Sequence, residues 1–215
     1  MLLLGVCPDN GDGFHAIARI SKTLRRVRKH YRVDDVVRLD PGSAMGDLAA
    51  EIARRYRDPG HIVSKRIFSQ DRRPAKTVQV HPTVVIAVAG RDRRLIESLR
   101  RQDVAVEAVA LEPVPGFRKV SPGKALGNDF FVGRLQVAKA VGSAYAQGRL
   151  TVAEGLPFAD RILRELARYR TGDRDGTLGG GGNRPAGAAA DILTATSLPV
   201  WFSETIRYRR AYRAH

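Results

Sequence analysis

Residues 83–90 read TVVIAVAG, an apolar run that contains no charged side chain. A short run of this kind, rich in β-branched residues, is typical of a central strand that is covered on both faces of a sheet. A helical pattern follows at 91–101, and a second apolar stretch, VAVEAVALE, occupies 104–112. Strand, helix and strand in this order predict a right-handed parallel crossover.

Three further strands are predicted upstream of this unit. The run LLLGVC at 2–7 is buried in character and ends at a Pro-Asp-Asn-Gly turn. Residues 14–20 are the second predicted strand, and residues 31–39, with many β-branched residues, are the third. A turn within 25–30 predicts that the second and third strands form an antiparallel meander.

The rest of the chain alternates helices with short strands and loops. Helices are predicted at 44–58, 132–147 and 156–170 and from about residue 188 past Trp201, and a strand at 149–153. The basic stretch 61–77 is predicted to be irregular, 113–124 a loop, 172–187 a flexible Gly-rich loop, and 203–215 a basic tail. The pattern predicts one α/β domain over residues 1–215, a mixed sheet flanked by helices.

The charge of the chain points to a polyanionic partner. It has 37 Lys and Arg against 22 Asp and Glu, a formal net charge of +15. Such a surplus creates a positive field that favours nucleic acid. The alternative explanation is a compositional bias toward arginine, which far outnumbers lysine here.

Three basic clusters are candidate DNA contacts, because each could neutralise backbone phosphates. A solvated surface that keeps the protein soluble is the alternative for each. The candidates are Arg72, Arg73 and Lys76 in the irregular stretch; Arg118, Lys119 and Lys124 in the 113–124 loop; and Arg207, Arg209, Arg210 and Arg213 in the tail.

Several other classes of function are disfavoured. A single cysteine, Cys7, excludes an internal disulfide and fits a reducing cytoplasm, and the histidines lack zinc-ligand spacing. Cys7 could act as a nucleophile with His15 as base, although a buried free cysteine is the commoner situation.

The segment SPGKALG at 121–127 lacks the leading Gly and the Ser/Thr of a phosphate-binding loop. No apolar run approaches the roughly 20 residues that span a bilayer, so we expect a cytoplasmic protein without membrane contact.

Four phrases, in order, resemble the nuclease domain of phage and prophage terminase large subunits. They are GVCPDNGDGFHAIARI at 5–20, VVIAVAGRDRRLIESL at 84–99, VAKAVGSAYAQGRLTVAEGLPFADRILRELARYR at 137–170 and AADILTATSLPVW at 189–201. The resemblance implies a ribonuclease H-like fold and a protein that acts on double-stranded DNA. It also implies carboxylates that hold Mg²⁺ or Mn²⁺ at the ends of two strands and in the last helix.

When the carboxylate positions of the family are transferred to this sequence one by one, most of them fall on other residue types. The first strand position falls on Cys7, the second on Ile86, and the acidic pair of the last helix on Ala190 and Asp191. Only Asp191 supplies a carboxylate. Two-metal cleavage needs cations roughly 4 Å apart, and Mg²⁺ requires oxygen ligands, so the resemblance implies an impaired nuclease.

Nearby acidic residues leave an active nuclease open. Asp9 or Asp12, together with Asp92 and Asp191, could hold the metal if the register were shifted. The alternatives are ordinary turn chemistry for Asp9 and Asp12 and a charge at a helix N-terminus for Asp92.

Three hypotheses about function follow. The first is a terminase-like DNA nuclease domain of phage or prophage origin, catalytically impaired, in the cytoplasm of a bacterial host cell. The second is a non-catalytic DNA-binding or packaging-associated protein, working with a separate packaging ATPase or portal component. The third is a decayed prophage reading frame.

Overall fold

The structure is a computed structural model of the chain. It describes residues 1–8, 14–40, 43–67, 76–88, 93–112, 117–119, 130–170 and 189–206. The predicted Gly-rich loop at 172–187 lies outside these residues.

The strands, in chain order, are β1 (Leu2–Cys7), β2 (His15–Arg25), β3 (Arg28–Leu39), β4 (Val63–Ile67), β5 (Lys76–Val80), β6 (Thr83–Val88), β7 (Val106–Glu112), β8 (Phe117–Lys119), β9 (Phe130–Gly133) and β10 (Leu150–Val152). The α-helices are α1 (Met45–Arg57), α2 (Arg93–Arg101), α3 (Arg134–Ala146), α4 (Ala159–Arg170) and α5 (Ala189–Thr205). A short 3-10 helix at Pro59–His61 follows α1.

Within the described residues, eight strands form one mixed sheet in the order β10-β3-β2-β1-β6-β7-β9-β8. The pairs β1–β2, β2–β3 and β8–β9 are antiparallel, and the remaining neighbours are parallel. Strands β4 and β5 form a separate antiparallel ribbon. The meander, the β6–α2–β7 crossover and the mixed α/β sheet predicted from sequence are confirmed.

Helices cover both faces of the sheet. Alternate residues of a strand face opposite sides, so each strand of the centre contributes to two cores. One core packs Leu3 and Cys7 of β1 against α3, α4 and α5. The other packs Leu4 and Val6 against α1 and α2. A central strand buried on both sides explains the continuous apolar runs in β1 and β6.

Helix α5 lies directly across β1, and two unusual residues allow the close approach. Pro199 lacks an amide hydrogen, so the carbonyl of Ala195 does not receive the usual helical hydrogen bond. That carbonyl faces Gly5, where an added Cβ would lie 1.8 Å from its oxygen and 2.7 Å from Pro199 Cγ. Only glycine fits at this position of the strand.

Several elements differ from the sequence predictions. The meander strands are longer than expected, since β2 reaches Arg25 and β3 begins at Arg28. The stretch predicted to be irregular contains β4, and the predicted 113–124 loop contains β8. Helix α5 extends to Thr205, so the first residues of the predicted tail are helical. Among the described residues, no helix is long and apolar enough to cross a membrane.

Candidate active site

The last residue of β1, Cys7, lies at the carboxyl end of the central parallel strands. Its side chain is fully buried, and β1 is flanked by β2 and by β6. The Sγ atom lies 3.5 Å from the carbonyl oxygen of Pro8 and 3.9 Å from Oδ1 of Asp191. In open α/β sheets, ligands bind outside the carboxyl ends of the strands, so this is the expected place for chemistry.

Asp191 reaches this point from the first turn of α5. Its side chain is 3% exposed, and every residue from 191 to 203 is buried. A carboxylate in the first turn is favoured by the positive end of the helix dipole. The structure therefore brings Cys7 and Asp191 together, although 184 positions separate them in the chain.

Ile86 does not face this site. It pairs with Val6 in the parallel register of β1 and β6, and its side chain lies in the core beneath α1 and α2. The β6 residues on the same face as Cys7 are Val85 and Ala87. The position that faces Cys7 near the end of β6 is therefore Ala87 and not Ile86, and alanine offers no metal ligand.

The possible pairing of Cys7 with His15 is also disfavoured by the strand geometry. Cys7 pairs with Ala16 of β2, and both lie in the core beneath α3, α4 and α5. His15 precedes Ala16, so its side chain points to the opposite face of the sheet. His15 is 5% exposed and places Nε2 3.3 Å from the carbonyl oxygen of Ser43. It packs as a buried strand histidine.

The described donors do not fit a pair of magnesium ions. They are one thiol and one carboxylate, and sulfur is a soft ligand, whereas Mg²⁺ selects oxygen. Among the residues that the structure describes, no group of three His, Cys, Asp or Glu side chains could hold a metal ion. Asp9, Asp12 and Asp92 lie outside the described residues.

The basic residues singled out in the sequence are only partly described. Lys76 begins β5 in the separate ribbon, and Arg118 and Lys119 lie in β8 at one edge of the large sheet. Ala190 is the second residue of α5. The remaining candidates lie outside the described residues: Arg72, Arg73, Lys124, Arg207, Arg209, Arg210 and Arg213.

One basic surface, the turn between β2 and β3, was not among the candidate DNA contacts predicted from the sequence. The eleven residues 22–32 contain six Lys and Arg side chains and no acidic residue. This high density of basic residues is the feature of the sequence that indicates the surface. It was overlooked because the strands were predicted to end earlier, which left the segment as an unremarkable loop.

Comparison with family models finds no match, and no curated protein matches the sequence. One solved structure is similar over the whole fold, that of the large terminase nuclease from the thermophilic phage G20c. The identity is 16%, the TM-score is 0.53, and the match covers 95% of this chain and 82% of that chain. The chain thus has the α/β, ribonuclease H-like fold of a terminase nuclease, as its sequence predicted.

Proposed function

We propose that this chain is a terminase-type nuclease domain that binds double-stranded DNA and cleaves it slowly or not at all. The observation that carries the proposal is the Cys7–Asp191 pair at the carboxyl end of β1. From the resemblance of the sequence to terminase nucleases, we expect metal-binding carboxylates at both positions. Here one of them is a buried thiol, 3.9 Å from the remaining carboxylate.

The chemistry of these groups supports impairment. A divalent metal, when bound in such a fold, activates water and stabilises the leaving oxygen of a phosphodiester. Asp191 can contribute one carboxylate, Cys7 contributes sulfur, and Ala87 contributes a methyl group. No cleavage step can be derived from these three side chains. An active site that uses Asp9 or Asp12 with Asp92 and Asp191, and Mg²⁺ or Mn²⁺, is the competing proposal.

The charge of the chain supports DNA as the partner. A net charge of +15 on 215 residues attracts a polyanion and accelerates association. A packaging ATPase or a portal component is the further partner that we propose for this domain. The thiol of Cys7 and the single carboxylate of Asp191 disfavour cleavage, and for the same reason they favour a non-catalytic, packaging-associated role.

Plasmid nicking measured beside DNA binding tests this proposal. The wild type and Asp191→Asn are incubated with supercoiled plasmid in Mg²⁺ and in Mn²⁺, and binding to a duplex is measured at several salt concentrations. Asparagine keeps the size of the buried side chain and removes its charge. We expect salt-dependent binding by both proteins, because phosphate contacts release counterions, and no metal-dependent nicking by either.

Metal-dependent nicking that Asp191→Asn abolishes would establish the active nuclease instead. Absence of DNA binding by the wild type would remove the DNA-binding role.

A further inference from the structure

The β2–β3 hairpin ends in a tight, solvent-exposed and strongly basic tip. Arg26 and Val27 form a two-residue turn, and Arg25 pairs directly with Arg28 across the strands. Arg25, Arg26 and Arg28 are exposed, and the two apolar side chains at the tip, Leu24 and Val27, are 69% and 91% exposed. A hairpin tip with this composition contributes little to the hydrophobic core.

Within the part of the chain that the structure describes, the positive charges at the tip have no compensation from carboxylates. Among the described residues, none of Arg25, Arg26 and Arg28 forms an ion pair. Like charges directly opposite each other in an antiparallel pair destabilise the pairing. The Arg25–Arg28 pair is therefore unfavourable for folding, and an anion bound between the two guanidinium groups would relieve the repulsion.

The backbone of the turn is also strained. Arg26 has a φ of 44° and Val27 a φ of 70°, in the left-handed region that β-branched residues strongly avoid. Turns of this type usually use Asn-Gly or Asp-Gly. The turn contains an arginine and a valine where a more stable pair of residues could stand. Backbone strain in the turn and repulsion between Arg25 and Arg28 both lower the stability of the fold, and folding alone explains neither.

A cleft lies beside the tip. Its volume is about 360 Å³, and Arg28, Lys29 and Arg149 contribute cations to its lining, together with Glu204. Glu204 accepts hydrogen bonds from Arg149 at 3.0 Å and from Tyr31 at 2.8 Å. The carboxylate in the cleft is thus already neutralised by Arg149, and the surface presented to solvent beside Arg28 is cationic.

The tip is remote from the Cys7–Asp191 pair. Cys7 pairs with Ala16 near the start of β2, whereas Arg25 of the tip lies nine residues further along the same strand. At about 3.3 Å per residue the separation is about 30 Å. A contact at the tip therefore belongs to a different surface from the carboxyl end of β1.

We propose that this tip, residues 24–29, is a second DNA-binding surface that holds the phosphate backbone of a duplex with its arginines. A two-stranded β-ribbon fits the major groove, which is about 12 Å wide, and ribbons bind DNA in this manner in several folds. Arg25 and Arg28, on the two strands, bind phosphates, and Leu24 and Val27 lie against sugars and base edges. This inference shares only the DNA partner with the proposed function.

Duplex binding by the full chain tests the proposal. The variant Arg25→Gln/Arg28→Gln removes the cross-strand pair, and Lys139→Gln/Arg164→Gln removes two exposed charges from α3 and α4 as the matched control. We expect the hairpin variant to bind about tenfold more weakly at moderate salt. We also expect the slope of log affinity against log salt to fall by about 1.8, because each lost phosphate contact removes about 0.9. The control should change the affinity much less, and Arg25→Lys/Arg28→Lys should retain binding.

A label at the tip gives an independent measurement that does not depend on affinity. Val27→Cys introduces a thiol at a position that is 91% exposed, whereas the natural Cys7 is fully buried and unreactive by comparison. An environment-sensitive fluorophore on Val27→Cys should respond to duplex DNA, and the same fluorophore on Ala167→Cys of α4 should not. Vesicles containing phosphatidylserine serve as the second anionic probe.

The outcomes separate the two proposals. If the wild type binds DNA and the hairpin variant matches its control, with a silent label at residue 27, the second surface is overturned and the proposed function stands. A label that responds to the vesicles and not to the duplex also overturns it. Lack of any DNA binding by the wild type overturns both.

Discussion

The two ends of β2 differ in what they contribute to the molecule. At its start, beside Ala16, the side chain of Cys7 is 0% exposed, and that of Asp191, which lies on α5, is 3% exposed. At its far end, the Arg25–Arg28 pair is exposed to solvent and lies in a strained turn. The buried end therefore resembles a protein core, whereas the exposed tip resembles a binding surface. Changes at the first end should lower stability, whereas changes at the second should alter binding and leave stability nearly unchanged or higher.

The largest loss of stability is expected for Gly5→Ala, at the buried end. A Cβ there would lie 1.8 Å from the carbonyl oxygen of Ala195, so α5 must move away from β1. We expect a loss of about 3 kcal/mol in the free energy of unfolding, at the upper end of the usual cost of overpacking. Denaturant melts measure it.

Gly46→Ala in α1 is the matched control, since a Cβ added at Gly46 meets nothing within 4 Å. Its stability should stay unchanged or rise by up to about 1 kcal/mol, because alanine is the better helix former. Equal effects of the two substitutions would show that α5 does not depend on its close contact with β1.

An intermediate loss of stability is expected for Glu204→Gln, in the cleft beside the tip. Burial raises the pKa of Glu204, but hydrogen bonds from Tyr31 and Arg149 outweigh it and hold the pKa below its ordinary value. Removal of the charge should cost about 1.5 kcal/mol at neutral pH, the lower range for a hydrogen bond to a charged group.

The pH dependence of stability reports the contribution of this carboxylate. Because its pKa is lower in the folded state, its contribution is fully present above the ordinary pKa of 4.5 and is lost as pH falls through the folded value. Stability curves of the wild type and Glu204→Gln should therefore converge in acid. Glu154→Gln, at an exposed position, is the control and should follow the wild type throughout. A constant gap between the wild type and Glu204→Gln at every pH would contradict this account.

The smallest change in stability is expected at the tip, and it is a gain, not a loss. Val27→Gly removes the strain of a β-branched residue at a φ of 70° and loses no packing, because Val27 is 91% exposed. We expect stability to rise by about 1 kcal/mol, as measured by thermal melting. A fall in the melting temperature would mean that the turn is not strained and that Val27 does not lower the stability of the fold.

Patterns of apolar residues were sufficient to predict the centre of the fold. Strands β1 and β6 are continuous apolar runs because they are buried on both faces, and β7 is apolar apart from Glu107 and Glu112. The short strands β8 and β9 were missed, since three or four residues carry too little periodicity to distinguish them from loop. The hairpin was predicted too short because Arg26 and Val27 give none of the usual turn signals.

The candidate site was predicted in part. The proximity of Cys7 and Asp191 followed from the order of phrases shared with terminase nucleases, and no local pattern relates residues 184 positions apart. The position on β6 was assigned to Ile86 by sequence similarity alone, without regard to the face of the strand. A shift of one residue reverses the direction of a strand side chain, and Ala87 is the residue that faces Cys7.

The metal response of Cys7→Asp tests the central claim most directly, with Cys7→Asn as the uncharged control. Without metal, Cys7→Asp should melt well below Cys7→Asn, because two carboxylates would be buried side by side next to α5. If this end of β1 is the altered site of a metal nuclease, Mn²⁺ should raise the melting temperature of Cys7→Asp and leave the wild type and Cys7→Asn unchanged. A wild type that Mn²⁺ stabilises as strongly, or a Cys7→Asp variant that ignores the metal, would contradict the account.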